Sequence, residues 1–406
     1  MLKRIVAIAV IFVCTSIAWA ILGATIFVRT YDYRSSLEQR VTATWGAPQL
    51  QKSPSACYYE PVASTLPTFD IAKPDTVARP LPLESSRVRV AFDLEHRQKG
   101  LLWYATYKVA FAGDYVFRNT TSKEQNVTFQ LTFPVAQAVY DDLEFAIDGK
   151  PAPSTSQGGA AAATVPVAAG QTAALHVAYR SQGLDSWRYS FGAEVAQVKD
   201  FVLTMATNFR DIDFPENTLS PTGKRETAGG WDLKWAYKNL VSGFQIGMTM
   251  PQRLQPGPLT GMISYFAPVS LLFFFFLMFI ITTLRRIELH PMNYFFLACA
   301  FFSFHLLLAY LADRVPIHIA FVICSVVSIF LVVSYLRLVV NMRFAAVEAG
   351  LAQLIYLVLF SYAFFLKSFT GLAVTIGSIL TLFVVMQLTG RIRWADRFAG
   401  EPRQRT

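Results

Sequence analysis

Five histidines and four cysteines in 406 residues leave few places where proton transfer, metal ligation or thiol chemistry could be assembled. The sharpest spacing lies in the C-terminal third. His305 sits inside an apolar run, His318 follows Pro316 at the start of the next, and Asp313 and Arg314 lie between them. An ionisable group inside an apolar span is costly and is a functional candidate by default. A tight hairpin would bring these groups to one depth, where they suit a proton relay, a metal site or a polar cleft. The plainer reading is interhelical hydrogen bonding plus an interfacial Asp–Arg pair. Glu348 opens the fifth apolar run near Arg343 and Arg337 and reads as an ion pair with snorkelling arginine stems. Gln353 and Gln387 read as packing contacts, and Ala373, Gly377 and Thr381 as a small-residue face for close helix approach.

Elsewhere the chemistry is sparse. The chain has no G-x-S-x-G elbow, no H-E-x-x-H and no phosphate-cradling G-x-x-x-x-G-K. His96 and His176 are lone imidazoles in strand-like segments, and Asp141-Asp142 reads as turn chemistry. Asp211 and Asp213 beside Pro215 offer two carboxylates to a cation without a wider ligand set. Cys57 is the one cysteine between residues 29 and 261, so no disulfide forms there, and Cys14, Cys299 and Cys324 read as apolar fillers. No catalytic, cofactor-binding or metal set emerges, and the expectation is a protein that is not an enzyme and needs no cofactor.

The elements that must hold these residues are set by hydrophobicity. Hydrophobic residues make up 53% and charged residues 16% of the chain, well under the quarter typical of soluble domains. A span needs about 20 mostly apolar residues. Six stretches qualify: Ile5–Val28, Met262–Leu284, Asn293–Leu311, Ile317–Leu336, Ala345–Leu366 and Phe369–Leu388. The first follows Lys3-Arg4 and contains Ala18-Trp19-Ala20, a small-x-small signal-peptidase pattern, but its apolar run continues to Val28 and reads as an uncleaved anchor. With the N-terminus cytoplasmic, eleven basic residues (Lys3, Arg4, Arg285, Arg286, Arg337, Arg343, Arg391, Arg393, Arg397, Arg403, Arg405) fall inside, against Arg314 and Lys367 in the outer hairpins. That asymmetry obeys the positive-inside rule, puts both termini in the cytoplasm and exports residues 29–261. The net charge of +9 records membrane orientation and argues for a lipid bilayer as partner, with no nucleic acid.

The expected domains are an anchor over 1–28, a juxtamembrane helix and Pro-rich extended segment over 29–86, an exported β-rich domain over 87–261, a five-helix bundle over 262–390 and a basic tail over 391–406. Leu37, Val41 and Trp45 recur every four residues before Gly46 and Pro48, and seven prolines between Pro48 and Pro82 predict a largely irregular path. From Val88 the period becomes two: Val88, Val90 and Phe92, then Tyr107, Val109 and Phe111, and Tyr115 and Phe117 after a Gly113-Asp114 turn. Val127, Phe129, Leu131 and Phe133 follow, and Leu143, Phe145 and Ile147 lead into an Asp148-Gly149 turn. Residues 151–170, rich in Pro, Gly, Ser and Ala, read as a surface loop. Alternation resumes at Leu175, Val177 and Tyr179 and continues through Phe201–Met205 and Gln245–Met250, and Pro256-Gly257-Pro258 stiffens the return to the membrane. The pattern predicts a β-sandwich-like domain. V-F-R-N-T-T at Val116–Thr121, followed by F-Q-L-T-F-P at Phe129–Pro134, resembles sandwich domains of the vault/inter-alpha-trypsin type.

R-R-I-E-L-H-P-M-N-Y at Arg285–Tyr294 resembles the cytoplasmic turn of the CreD family of bacterial inner-membrane, cell-envelope integrity proteins. D-Y-R at Asp32–Arg34, G-W-D-L-K-W at Gly230–Trp235 and R-I-R-W at Arg391–Trp394 agree with it, as does the order of one anchor, one exported β-rich region and five spans. The resemblance implies a multi-pass inner-membrane protein supporting envelope integrity or envelope stress response, and it supplies no catalytic residues. Within the turn, Leu289, His290, Pro291 and Met292 have a structural role, because proline restricts the residue before it and starts the next helix. The expected function is non-enzymatic, the exported domain binding an envelope protein, lipid or glycan. The alternative is a permease or lipid-handling protein working at His305, Asp313, His318 and Glu348.

Overall fold

A computed structural model describes residues 2–61, 76–136, 138–153, 155–157, 159–192, 196–366 and 369–390. The basic tail 391–406 with its R-I-R-W motif, Lys367, Pro67 and Pro74 lie outside the described residues. The chain forms two compact units: a membrane unit of 1–35, 100–102 and 254–406, and a β-rich unit of 36–99 and 103–253.

Among the described residues of the membrane unit, six helices are long and apolar enough to cross a bilayer. They are α1 (Leu2–Trp45), α2 (Pro256–Leu284), α3 (Pro291–Leu311), α4 (Ile317–Val339), α5 (Phe344–Phe365) and α6 (Thr370–Thr389). α1 runs unbroken through residue 28, so the anchor and the juxtamembrane helix are one element, and the boundary between units falls within it. α2 starts at Pro256, before the expected residue 262: Pro256 takes the first helical turn, where a missing N–H costs nothing. α5 is not a uniform α-helix. It contains π-helical turns at Phe344–Ala349 and Leu354–Leu359 and closes in a 3-10 turn at Ala363–Phe365.

The described residues of the β-rich unit form sixteen strands. β1 (Gln49–Lys52), β2 (Ser55–Pro61), β3 (Thr76–Pro80), β4 (Leu83–Lys99), β5 (Leu102–Arg118) and β6 (Gln125–Thr132) come first. β7 (Tyr140–Ile147), β8 (Lys150–Pro151), β9 (Thr155–Gln157), β10 (Ala160–Val167) and β11 (Thr172–Leu184) follow. β12 (Ser186–Ser190), β13 (Ala196–Thr207), β14 (Gly223–Glu226), β15 (Trp231–Ser242) and β16 (Ile246–Thr249) complete the set. They make an eight-stranded sheet in the order β14-β15-β13-β4-β5-β11-β7-β8, a five-stranded sheet β3-β2-β6-β10-β9 and a three-stranded sheet β1-β12-β16. Residues from all three share one hydrophobic core, where Phe117 of β5 meets Phe129 of β6 edge to face.

Three local expectations change and one holds. Among its described residues the Pro-rich segment is extended but not irregular: β1, β2, β3 and the start of β4 occupy it, with Pro54 and Pro82 between strands and Pro61 and Pro80 at strand ends, where no ladder donor is lost. There is no turn at Gly113-Asp114. Gly113 lies inside β5 facing the core, and the Tyr115 ring fills the space its side chain would take. Among the described residues of 151–170 the alanine run is strand, not loop, because β10 pairs with β6 from Ala160–Thr132 to Val167–Gln125 and buries Ala161 and Ala163. Asp148-Gly149 is a turn as expected, both residues having positive φ between β7 and β8.

Gly46 ends α1 with φ at 97°, its N–H donating to the Thr42 carbonyl at 3.0 Å. A Cβ there would be strained and would also collide with the Gln182 carbonyl oxygen. Gly46→Ala is therefore expected to cost about 2–3 kcal/mol in thermal unfolding of the full chain. Gly149→Ala, with φ at 75° and open space around it, should cost about 1 kcal/mol.

Candidate functional site

The sequence-derived membrane residues do not converge. His305 is fully buried: its Nδ1–H donates to the Phe301 carbonyl at 3.1 Å, while Nε2 has no partner among the described residues. Its neighbour is Trp19 of α1, whose ring stands edge-on at 5.8 Å and whose indole N–H is also unpartnered. Asp313 pairs with Arg29 of α1 at 3.0 Å rather than with Arg314. His318 is exposed and lies tilted against the Phe365 ring at 5.0 Å. Glu348 pairs with Arg285 at 2.6 Å, not with Arg343 or Arg337, because α2 presents that arginine across the bundle. No hydrogen bond or ion pair among the described residues joins any two of His305, Asp313, His318 and Glu348.

Apart from these residues, α1 and α2 form a close helix seam. Gly257 and Gly261 of α2 lie against Thr30 and Phe27 of α1, and Gly23 of α1 lies against Tyr265 of α2. This is the small-residue approach that helices use in lipid, and it sits here rather than at the expected position in α6. Gly377 of α6 has open space around it, and only Thr381 on that face is buried, bonded to the Tyr356 hydroxyl at 2.9 Å. Gln353 is more than filler: its amide donates to Ser328 Oγ at 2.8 Å, and Ser328 Oγ donates to the Ala300 carbonyl at 2.6 Å. In the family-like turn, Leu289 is buried, His290 caps α3 by accepting the Met292 N–H at 3.3 Å, and Pro291 opens the helix.

The residues that sequence reasoning missed lie on the outward face of the eight-stranded sheet. Strand alternation sends Val90, Phe111, Tyr179, Met205 and Leu233 into the core and their neighbours outward. Five of those neighbours are alanines: Ala206 of β13, Ala91 of β4, Ala110 and Ala112 of β5 and Ala178 of β11. Register sets Ala206 opposite Ala91 and Ala112 opposite Ala178, so the methyl groups form a low floor across four strands. Over it lies a groove of about 1080 Å³, and a second hollow of about 510 Å³ shares Ala91, Ala110 and Arg180 with it.

Charged side chains wall this floor. Along one side run Arg89, Asp114, His176 and Glu144, from four successive strands. Arg89 meets Asp114 at 3.4 Å, His176 Nδ1 meets Asp114 at 2.6 Å and its Nε2 meets Glu144 at 3.6 Å. His176 is thus no lone imidazole, whereas His96 holds the Pro251 carbonyl at 2.7 Å. At one end of the groove Arg180 pairs with Asp142 at 3.2 Å; Asp142 lies inside β7, where its positive φ accompanies a register shift against β11 rather than the expected turn. At the other, Arg225 pairs with Asp232 at 2.5 Å and Lys234 has no carboxylate partner among the described residues, whereas Lys224, in register with Leu233, turns to the core side over the Phe214 ring at 5.1 Å. Among the described residues no group of three or more His, Cys, Asp or Glu could hold a metal ion, and Asp213 is engaged with the Phe214 N–H.

Residues 263–395 match the family model of the inner membrane protein CreD. No curated protein matches the chain. Among solved structures, a protein of Legionella pneumophila described as nutrient-binding is 11% identical, covering 56% of this chain and 76% of its own, with a TM-score of 0.37. An M1 zinc metallopeptidase of Deinococcus radiodurans is 9% identical with a TM-score of 0.26, covering 41% of this chain, which spans 42% of the peptidase. Both scores are too low to bear on function.

Proposed function

We propose, on the premise that residues 263–395 match the inner membrane protein CreD, that this multi-pass membrane protein supports cell-envelope integrity without catalysing a reaction. Its β-rich unit, exported as a sandwich-like domain with both termini of the chain cytoplasmic, binds an envelope partner, and the helix bundle anchors it. The groove on the eight-stranded sheet carries this reading: a methyl-floored, charge-walled concavity of about 1080 Å³ is the kind of surface that recognises a ligand. The permease alternative needs His305, Asp313 and His318 to share a path. Each instead has its own neighbour: Phe301 and Trp19 for His305, Arg29 for Asp313 and Phe365 for His318.

Filling the floor tests the proposal. Ala91 and Ala206 are exposed, so Ala91→Arg with Ala206→Arg blocks the groove without disturbing the core. The expected result is an envelope defect as severe as deleting residues 87–250, with unchanged protease resistance of the purified chain. Wild-type envelope behaviour in the double variant refutes the reading.

A further inference from the structure

The geometry points to an extended polypeptide segment as the occupant of this groove, acidic where it crosses β14 and β15 and basic where it crosses β7. The inference rests on the reading that the groove is the working surface, and it names what that surface binds. Charge is segregated along the groove. Arg225 and Lys234 face a single acid, Asp232, at the β14–β15 end, while Arg89 in the middle of the groove is paired with Asp114. Asp142 and Glu144 face a single arginine, Arg180, at the β7 end. A ligand of one sign, such as an anionic polysaccharide or a phospholipid headgroup layer, would be attracted at one end and repelled at the other. A segment with opposite charges at its two ends satisfies both.

The floor argues in the same direction. Sugar rings are held by stacking on exposed aromatic faces, and the two aromatics that line the groove, Phe111 and Tyr179, are each 2% exposed. Alanine methyls give a flat, weakly apolar strip that accepts small side chains and an extended backbone. Size agrees as well. From β15 to β7 is five strand steps, about 24 Å at roughly 4.8 Å per step, which an extended chain of about seven residues spans at roughly 3.3 Å each.

The test uses the full chain in nanodiscs against a displayed library of random peptides about ten residues long, long enough to cross the groove. The expected enrichment is for peptides with Asp or Glu toward one end, Lys or Arg toward the other and small residues between. Their binding should fall at least about tenfold in Ala206→Arg and in Lys234→Glu, both at exposed positions that leave thermal unfolding unchanged. Five results overturn the proposal: no enrichment, enrichment without charge polarity, binding that survives Ala206→Arg, oligosaccharide binding that Ala206→Arg blocks, or self-association that it blocks. If groove filling causes the envelope defect while no peptide is enriched, the working surface stands and its occupant is not polypeptide. If groove filling leaves the envelope intact, the proposed function itself falls.

Discussion

Replacing Trp19 with alanine is expected to destabilise the membrane unit by about 3–5 kcal/mol, the range for deleting a buried tryptophan or phenylalanine side chain. Trp19 has no exposed surface and belongs to the core formed by α2, α3, α4 and α5. Its ring meets Phe302 edge to face at 5.1 Å and His305 at 5.8 Å, so truncation opens a cavity beside a buried imidazole that already lacks one partner. Helices in lipid gain little from hydrophobicity against one another, so close packing carries a larger share of their association. Thermal or denaturant unfolding of the full chain in detergent measures the loss. Trp19→Phe keeps most of the ring volume and should recover more than half of it, and full stability in Trp19→Ala would show that α1 is peripheral to the bundle. The same contact predicts that the mature protein retains residues 1–20, because cleavage after Ala20 would extract Trp19 from the core.

Above about pH 10 the β-rich unit is expected to lose stability steeply. Tyr107, Tyr115, Tyr179 and Tyr189 are buried in its core, and burial pushes all four hydroxyls above the ordinary tyrosine range. Each is also held in place: Tyr179 donates to Gln51 Oε1 at 2.6 Å, Tyr107 to the Ser186 carbonyl at 2.8 Å and Tyr189 to Tyr115 at 3.3 Å. In the unfolded chain these phenols deprotonate near pH 10, while the native core keeps the protons to higher pH. The unfolded state then binds fewer protons, so stability is level below about pH 10 and falls above it. Each tyrosine contributes up to about 1.4 kcal/mol per pH unit, and four together about 5 kcal/mol per unit. Denaturant unfolding across the alkaline range measures the slope. Tyr179→Phe should reduce it by about a quarter, and an unchanged slope in that variant would mean the phenols titrate freely in the native state.

Sequence revealed the membrane unit better than it revealed the groove, for physical reasons. An apolar span announces itself by composition, and all six candidate stretches became helices, although α1 runs on to Trp45 and α2 starts early at Pro256. The strands from Val88 to Phe92 and from Val127 to Phe133 were equally visible, because a half-buried strand must alternate. β1, β2 and β3 escaped because proline marks both an irregular chain and the ends of short strands, and pattern alone does not separate the two. Gly113 suggested a turn where it makes room for the Tyr115 ring, a relation two residues apart in sequence but set by the core. The pairing of Glu348 with Arg285 crosses between helices and leaves no trace in spacing. The groove was hardest of all. Its floor is alanine, a residue that carries no chemistry and signals nothing until register lines five of them up on one face.

β4 pairs in parallel with β13, joining Ser86–Phe92 to Phe201–Thr207, and β1 pairs in parallel with β12. Over a hundred residues therefore separate two neighbouring strands of the largest sheet. During synthesis the first half of this unit is made long before its partners exist, so β4 waits with one open edge until β13 arrives. Pairings of such long sequence separation are slow, since the loop must close before any contact rewards it. A chain arrested between residues 118 and 196 holds an apolar, half-paired sheet, the form most prone to aggregate or to recruit a chaperone. The rate at which the chain is made, as much as final stability, then governs how much of this protein reaches its folded state.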